Sequence, residues 1–89
     1  MVVRKRVLVS GEVQGVFFRD TCRRVAVARG VSGWVRNRGD GRVEAVFEGG
    51  PDQVDELVAW TRRGPSRAHV TGIDVHEEEP EGLTGFSIG

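Results

Sequence analysis

Residues 6–30 read RVLVSGEVQGVFFRDTCRRVAVARG, and they carry a strand pattern, a glycine-bracketed loop and a helix pattern in succession. The short β-branched run at 6–10 predicts a strand, which the segment GEVQG ends. The apolar residues that follow have the spacing of a helix stripe; they are Phe18, Cys22, Val25 and Ala26. Gly30 is expected to end this helix.

Four further segments of the chain have the composition of strands. They are VSGWVRN at 31–37, RVEAVFE at 42–48, HVTGIDVHE at 69–77 and a short last strand at 86–88. The dipeptide Asp40-Gly41 favours a tight hairpin, so the first two of these strands are expected to pair through the turn at 38–41.

A second helix is marked at both of its ends. Pro51 suits the first helical position, and Asp52 lies near the positive end of the helix dipole. Arg62 and Arg63 lie near the negative end, and Gly64-Pro65 stops the helix.

The resulting order is β-α-β-β-α-β with a terminal strand fragment, which is the ferredoxin-like or split β-α-β pattern. It predicts an α+β sandwich in which two helices cover one face of an antiparallel sheet. We expect residues 1–89 to form one domain, because the chain is too short for two. Domains of this fold have many unrelated functions, so the fold alone does not identify the chemistry.

The composition excludes several classes of function. The formal net charge is zero, from 13 basic and 13 acidic residues, whereas a nucleic-acid surface normally has a basic excess. No apolar run is long enough for a membrane span, and no signal-peptide pattern is present, so we expect a cytoplasmic protein. Cys22, His69 and His76 do not have the spacing of metal ligands, and no metal is expected.

Arg19 is unusual because it falls in the first turn of the first predicted helix. A cation at the positive end of a helix is disfavoured by about 0.3–1 kcal/mol. A bound anion would reverse this, since a glycine loop and a helix N-terminus present backbone N–H groups to it. The planar guanidinium of Arg19 would donate hydrogen bonds to two phosphate oxygens. Phe17 and Phe18 are expected to hold the loop against the domain. A solvated surface arginine is the alternative.

Two sequence motifs carry a family resemblance. SGEVQGVFFR at 10–19 resembles the signature of the acylphosphatase family, and so does GWVRN at 33–37 with the following GDG turn. The terminal segment GFSI at 85–88 is also similar to the family's usual ending, so the resemblance covers essentially the whole chain.

The resemblance implies an enzyme that hydrolyses acyl phosphates to a carboxylate and phosphate without a metal or cofactor. It implies that Arg19 binds the phosphoryl group and that Asn37 orients the attacking water. Backbone N–H groups of the loop would bind the phosphoryl group together with Arg19. The loop residues are Gln14, Gly15, Val16, Phe17 and Phe18.

The position of Asn37 sets a geometric condition on this assignment. Strict alternation places Asn37 on the same side of its strand as Val31 and Val35. If that side is the core, Asn37 must lie beyond the helix cover, at the strand end. The two tryptophans, Trp34 and Trp60, are interpreted as packing residues.

Two other functions compete with the enzyme. One is a non-catalytic module that binds phosphate or a carboxylate in the same loop. The other is an RNA-binding ferredoxin-like domain, which normally stacks bases on aromatic side chains of its central strands. Those strands here offer mainly small aliphatic residues, with Phe47 as the single aromatic. We therefore expect a small-molecule acyl phosphate substrate, no nucleic-acid partner and a monomer.

Overall fold

The computed structural model describes all 89 residues and contains seven helices and strands. In chain order they are β1 (Val3–Glu12), α1 (Phe18–Ala28), β2 (Ser32–Asn37), β3 (Val43–Gly49), α2 (Pro51–Thr61), β4 (His69–Glu78) and β5 (Phe86–Ile88). The predicted ferredoxin-like order is confirmed. Strand β1 extends beyond the expected 6–10 at both ends, because it pairs with a neighbouring strand on each side.

The sheet is mixed, whereas the sequence predicted an antiparallel one. Its strand order is β4-β1-β3-β2-β5, and the only parallel pair is β2 with β5. The segment at 79–85 leaves the end of β4 and crosses the same end of the sheet from which β2 begins. Strand β5 therefore starts beside Gly33 and has to run in the same direction as β2.

The hydrophobic core lies between the sheet and the two helices. Apolar side chains of the strands pack against apolar side chains of the helices in this core. Its largest buried side chains include Phe18, Phe47 and Leu57. Trp60 packs on Phe18 with ring centroids 5.0 Å apart, as a packing residue should. Cys22 is fully buried in this layer, and burial raises the pKa of its thiol well above the ordinary value. Neither helix has the length and apolar character needed to cross a bilayer.

The opposite face of the sheet is covered by charged side chains. Arg4 and Glu48 are almost completely buried there, with 2.7 Å between Nη1 and Oε2. Arg6 bridges Glu44 and Glu78, which lie on the strands to either side of β1. Trp34 lies beneath two guanidinium groups of this layer. We call these charged residues (Arg4, Arg6, Arg36, Glu44, Glu48 and Glu78) the ion-pair layer.

Glu48 fixes the crossing segment that leads to β5. Its carboxylate accepts hydrogen bonds from the backbone N–H groups of Glu81, Gly82 and Leu83, at 3.0–3.1 Å. Burial raises the pKa of Glu48, but these bonds and the Arg4 guanidinium outweigh burial, and the net pKa lies below its ordinary value. The buried carboxylate therefore stays charged and holds the segment in place.

The ion-pair layer predicts acid-sensitive stability. Hydrogen bonds from Arg6 and Arg4 lower the pKa of Glu78 from 4.5 to about 2. A carboxyl with a lowered folded-state pKa stabilises the fold above its unfolded pKa, and loses that effect as the pH falls through the folded value. The free energy of unfolding, measured by urea titration, should fall between pH 4.5 and about pH 2.

The variant Glu78→Gln should be less stable at pH 7 and should lose less stability over that acid interval. The exposed neighbour Glu79 forms no ion pair, so Glu79→Gln is the matched control and should follow the wild-type curve. Equal pH dependence in Glu78→Gln and the wild type would contradict the assignment.

Gly33 predicts a second stability effect, because β2 approaches β3 closely at this residue. A Cβ at Gly33, which has a φ of +147°, would lie 1.8 Å from the backbone oxygen of Val46. Gly33→Ala should therefore cost at least about 2 kcal/mol of unfolding free energy. Gly72→Ala is the control within a strand, since a Cβ there meets nothing within 4 Å, and it should be neutral or slightly stabilising. Equal urea midpoints for the two variants would rule out the close approach.

Candidate active site

The connection between β1 and α1 is short and is fixed at both of its ends. Val13 is 1% exposed and Phe18 is 2% exposed, so both are anchored in the core. Between them, Gly15 has a φ of 73° and Phe17 a φ of 65°. A left-handed conformation costs a residue with a Cβ about 1–2 kcal/mol, and such strain concentrates at functional sites. Phe17 is the only non-glycine residue of the chain with a positive φ.

This turn leaves a run of backbone donors without partners. None of the backbone N–H groups from Gln14 to Arg19 donates a hydrogen bond to another protein atom. No side chain caps α1 either. The free N–H groups and the positive end of the helix dipole therefore face the same space, which is the arrangement that favours an anion.

Arg19 extends from the first turn of α1, and no acidic side chain pairs with it. The Nη1 of its guanidinium donates to the backbone oxygen of Gly89 at 3.1 Å, and no Asp or Glu side chain lies within ion-pair distance. The next residue, Asp20, pairs instead with Arg24, at 3.0 Å. Asp20 therefore pairs one turn further along the helix and not with the adjacent Arg19.

Asn37 is the last residue of β2 and lies on the core-facing side, as strand alternation predicted. Val35 on the same side is fully buried, whereas Asn37 is half-buried, beyond the helix cover. Its side-chain amide forms no hydrogen bond with the protein. The amide is thus free to hold a water molecule or a ligand atom.

One cavity of about 320 Å³ brings most of the expected site residues together. Its lining includes Gly15, Phe17, Phe18, Arg19, Asn37 and Ile88. Two of the expected loop residues lie outside this lining. Val16 is half-buried against the core, and the Gln14 side chain extends toward the β2–β3 turn.

The expected role of Phe17 as a loop anchor is wrong. Its side chain is 65% exposed, and the guanidinium carbon of Arg67 lies 5.9 Å from the ring centroid. The left-handed conformation of Phe17 turns its ring outward, while the next residue, Phe18, enters the core. Phe18 alone therefore anchors the end of the loop.

The sequence reading missed the side chain of Gln14. Its Nε2 donates to the carbonyl oxygens of Arg38 and Arg42, at 2.8 and 3.0 Å. These residues belong to the β2–β3 turn, which follows Asn37 directly. No periodicity or local motif signals a bond between residues this far apart in the sequence.

The β2–β3 turn is itself fixed by Asp40. Its carboxylate accepts hydrogen bonds from the guanidinium groups of Arg38 and Arg42 and from the backbone N–H of Arg42. The bonds from Arg42, followed by that from Arg38, hold the pKa of Asp40 well below its ordinary value. The charges of Arg38 and Arg42 are therefore partly compensated by an acidic side chain, whereas no acidic side chain pairs with Arg19.

A family model matches the sequence over nearly its whole length. The model of the family described as "Acylphosphatase" matches residues 5–88. The acylphosphatase of Rubrobacter xylanophilus is 59% identical over 86 residues, covering 96% of this chain and 78% of the relative. The acylphosphatase of Haloarcula marismortui is 52% identical over 85 residues, covering 96% of this chain and 93% of the relative.

Solved structures agree with this similarity. The crystal structure of the acylphosphatase from Bacillus subtilis superposes with a TM-score of 0.94 at 40% identity, covering 100% of this chain and 99% of that one. The structure of an acylphosphatase from Coxiella burnetii superposes with a TM-score of 0.95 at 36% identity, covering 99% of this chain and 93% of that one.

Proposed function

The chain belongs to the acylphosphatase family, and from this membership we propose that the cavity at the N-terminus of α1 is its catalytic site. The chain is a hydrolase that acts on acyl phosphates. In the proposed reaction, water attacks the phosphorus atom, the bond from phosphorus to the acyl oxygen breaks, and a carboxylate and inorganic phosphate leave.

We assign binding of the phosphoryl group to Arg19 and the backbone of the loop. A phosphoryl group at the helix end would accept hydrogen bonds from the N–H groups of residues 14–18, which have no protein partner. Arg19 would supply two parallel donors and the only positive charge among the side chains that line the cavity. Phosphoryl transfer depends mainly on such positioning and on stabilisation of charge, which these groups provide.

Asn37 is assigned to the attacking water. Its free amide faces the same cavity as Arg19, and an amide can orient water through a donor and an acceptor without taking its proton. The only titratable side chains that line the cavity are Arg19 and Asp20, and Asp20 is paired with Arg24. We therefore propose that the water proton passes to a phosphoryl oxygen of the substrate.

The observation that carries this proposal is the convergence on one cavity of three groups, none of which is bonded to another side chain. They are the loop N–H groups, the Arg19 guanidinium and the Asn37 amide. A non-catalytic phosphate-binding module would need the first two of these, but it would have no use for a free amide at the position of the attacking water. The proposed enzyme uses no metal or cofactor and acts as a monomer.

Hydrolysis of benzoyl phosphate, with and without a chelator, tests the proposal. We expect equal activity in both conditions. Arg19→Ala and Asn37→Ala should each lower kcat/KM by at least about 10²–10³-fold, the usual effect of losing one preorganised donor. Asn37→Ala should still bind inorganic phosphate, whereas Arg19→Ala should bind it more weakly.

The matched control is Arg62→Ala, which removes an exposed arginine that forms no ion pair at the end of α2. It should retain wild-type activity. Full activity in Arg19→Ala would reject the assignment of Arg19. Phosphate binding by the wild type without any turnover would identify the non-catalytic module instead.

A further inference from the structure

The side chain of Gln14 joins the two halves of the candidate site. A glutamine amide has two N–H donors, and here one carbonyl oxygen of the β2–β3 turn accepts at 2.8 Å and another at 3.0 Å. Gln14 directly precedes Gly15 of the loop, and Arg38 directly follows Asn37. No other hydrogen bond connects residues 13–17 with residues 37–42.

Other hydrogen bonds of the turn hold the two acceptors of these bonds close together. The backbone N–H of Arg38 donates to the carbonyl oxygen of Arg42 at 2.8 Å and closes the turn. Asp40 then holds both arginine side chains from within the turn. The carbonyl oxygens of Arg38 and Arg42 therefore converge on one point, and the Gln14 amide occupies it.

The hydrogen bonds of the Gln14 side chain are exposed to solvent, which favours a role in positioning the site over a role in stabilising the fold. Gln14 lies at the surface, where a hydrogen bond contributes only about 0.5–1.5 kcal/mol to folding. The free Asn37 amide has no protein partner of its own, so the backbone that carries it has to be fixed by other contacts. Displacement of a reacting group by about 1 Å can cost about 10²-fold in rate.

We propose that Gln14 is a positioning residue that couples the phosphoryl-binding loop to the turn that directly follows Asn37. This inference rests on the proposed function of the site. Gln14 fixes the distance between the bound phosphoryl group and the water held by Asn37, and it does so through its side chain. Its backbone N–H belongs to the loop in any case, so substitution of the side chain separates the two contributions.

A double-mutant cycle tests the coupling. Gln14→Ala should lower kcat for benzoyl phosphate by about 10- to 100-fold while changing KM less than about 3-fold, because the loop donors remain. If Gln14 acts through Asn37, the double variant Gln14→Ala/Asn37→Ala should be no slower than Asn37→Ala alone. Gln14→Glu should behave like Gln14→Ala, since a carboxylate cannot donate to either carbonyl oxygen. Gln53→Ala, an exposed glutamine on α2, should leave kcat unchanged.

The proposal would be overturned if the reductions in kcat of the two single variants multiplied in the double variant. A wild-type kcat in Gln14→Ala would overturn it as well. Urea unfolding of each variant separates a loss of fold from a loss of position. A general loss of structure would also make the double variant slower than Asn37→Ala, so the cycle distinguishes the two.

A second readout does not depend on turnover. Titration with inorganic phosphate should shift the backbone amide NMR signals of the loop and of residues 38–42 in the wild type. In Gln14→Ala, only the loop signals should shift. If this difference between the wild type and Gln14→Ala is observed but the wild type does not hydrolyse benzoyl phosphate, the coupling is supported and the proposed function is rejected. Identical shifts in the turn with and without the Gln14 side chain would overturn the coupling.

Discussion

The site depends on how few residues connect strand β1 to helix α1. Val13 and Phe18 are both buried, so the chain has only residues 14–17 in which to leave the sheet and enter the helix. Such a tight reversal requires left-handed backbone at Gly15 and at Phe17. In this conformation the loop N–H groups have no protein partner. The proposed anion-binding geometry, the outward direction of the Phe17 ring and the placement of Arg19 at the helix end all follow from these two anchors.

The sheet brings the second half of the site to this loop, and Glu48 of the ion-pair layer supports the sheet at its other end. Strand β2 begins beside Glu48 and ends at Asn37, so the buried carboxylate and the cavity lie at opposite ends of one strand. Glu48 holds the segment that leads into β5. Strand β5 then runs along β2 and delivers Ile88 to the cavity, and the following carbonyl of Gly89 to Arg19.

The sequence predicted those parts of the molecule that local patterns determine. The order of elements and the position of Asn37 at a strand end follow from periodicity and turn chemistry, and both are confirmed. The parallel pairing of β5 was missed because it depends on where a loop crosses the sheet. The exposure of Phe17 was missed because hydrophobicity does not report backbone conformation. The contacts of Gln14 and of the ion-pair layer were missed because their partners are far apart in the sequence. For the ion-pair layer, the alternating arginines on β1 and glutamates on β3 were a signal that could have been used.

The most direct test of the central claim is a crystal structure of this protein with inorganic phosphate, the product of the proposed reaction. We predict one phosphate ion at the N-terminus of α1, with its oxygens within hydrogen-bond distance of the loop N–H groups and the Arg19 guanidinium. Asn37 should face the same ion across the cavity, with room for one water molecule between them. Phosphate bound only at another arginine cluster, such as the β2–β3 turn, with an empty helix end would contradict the account.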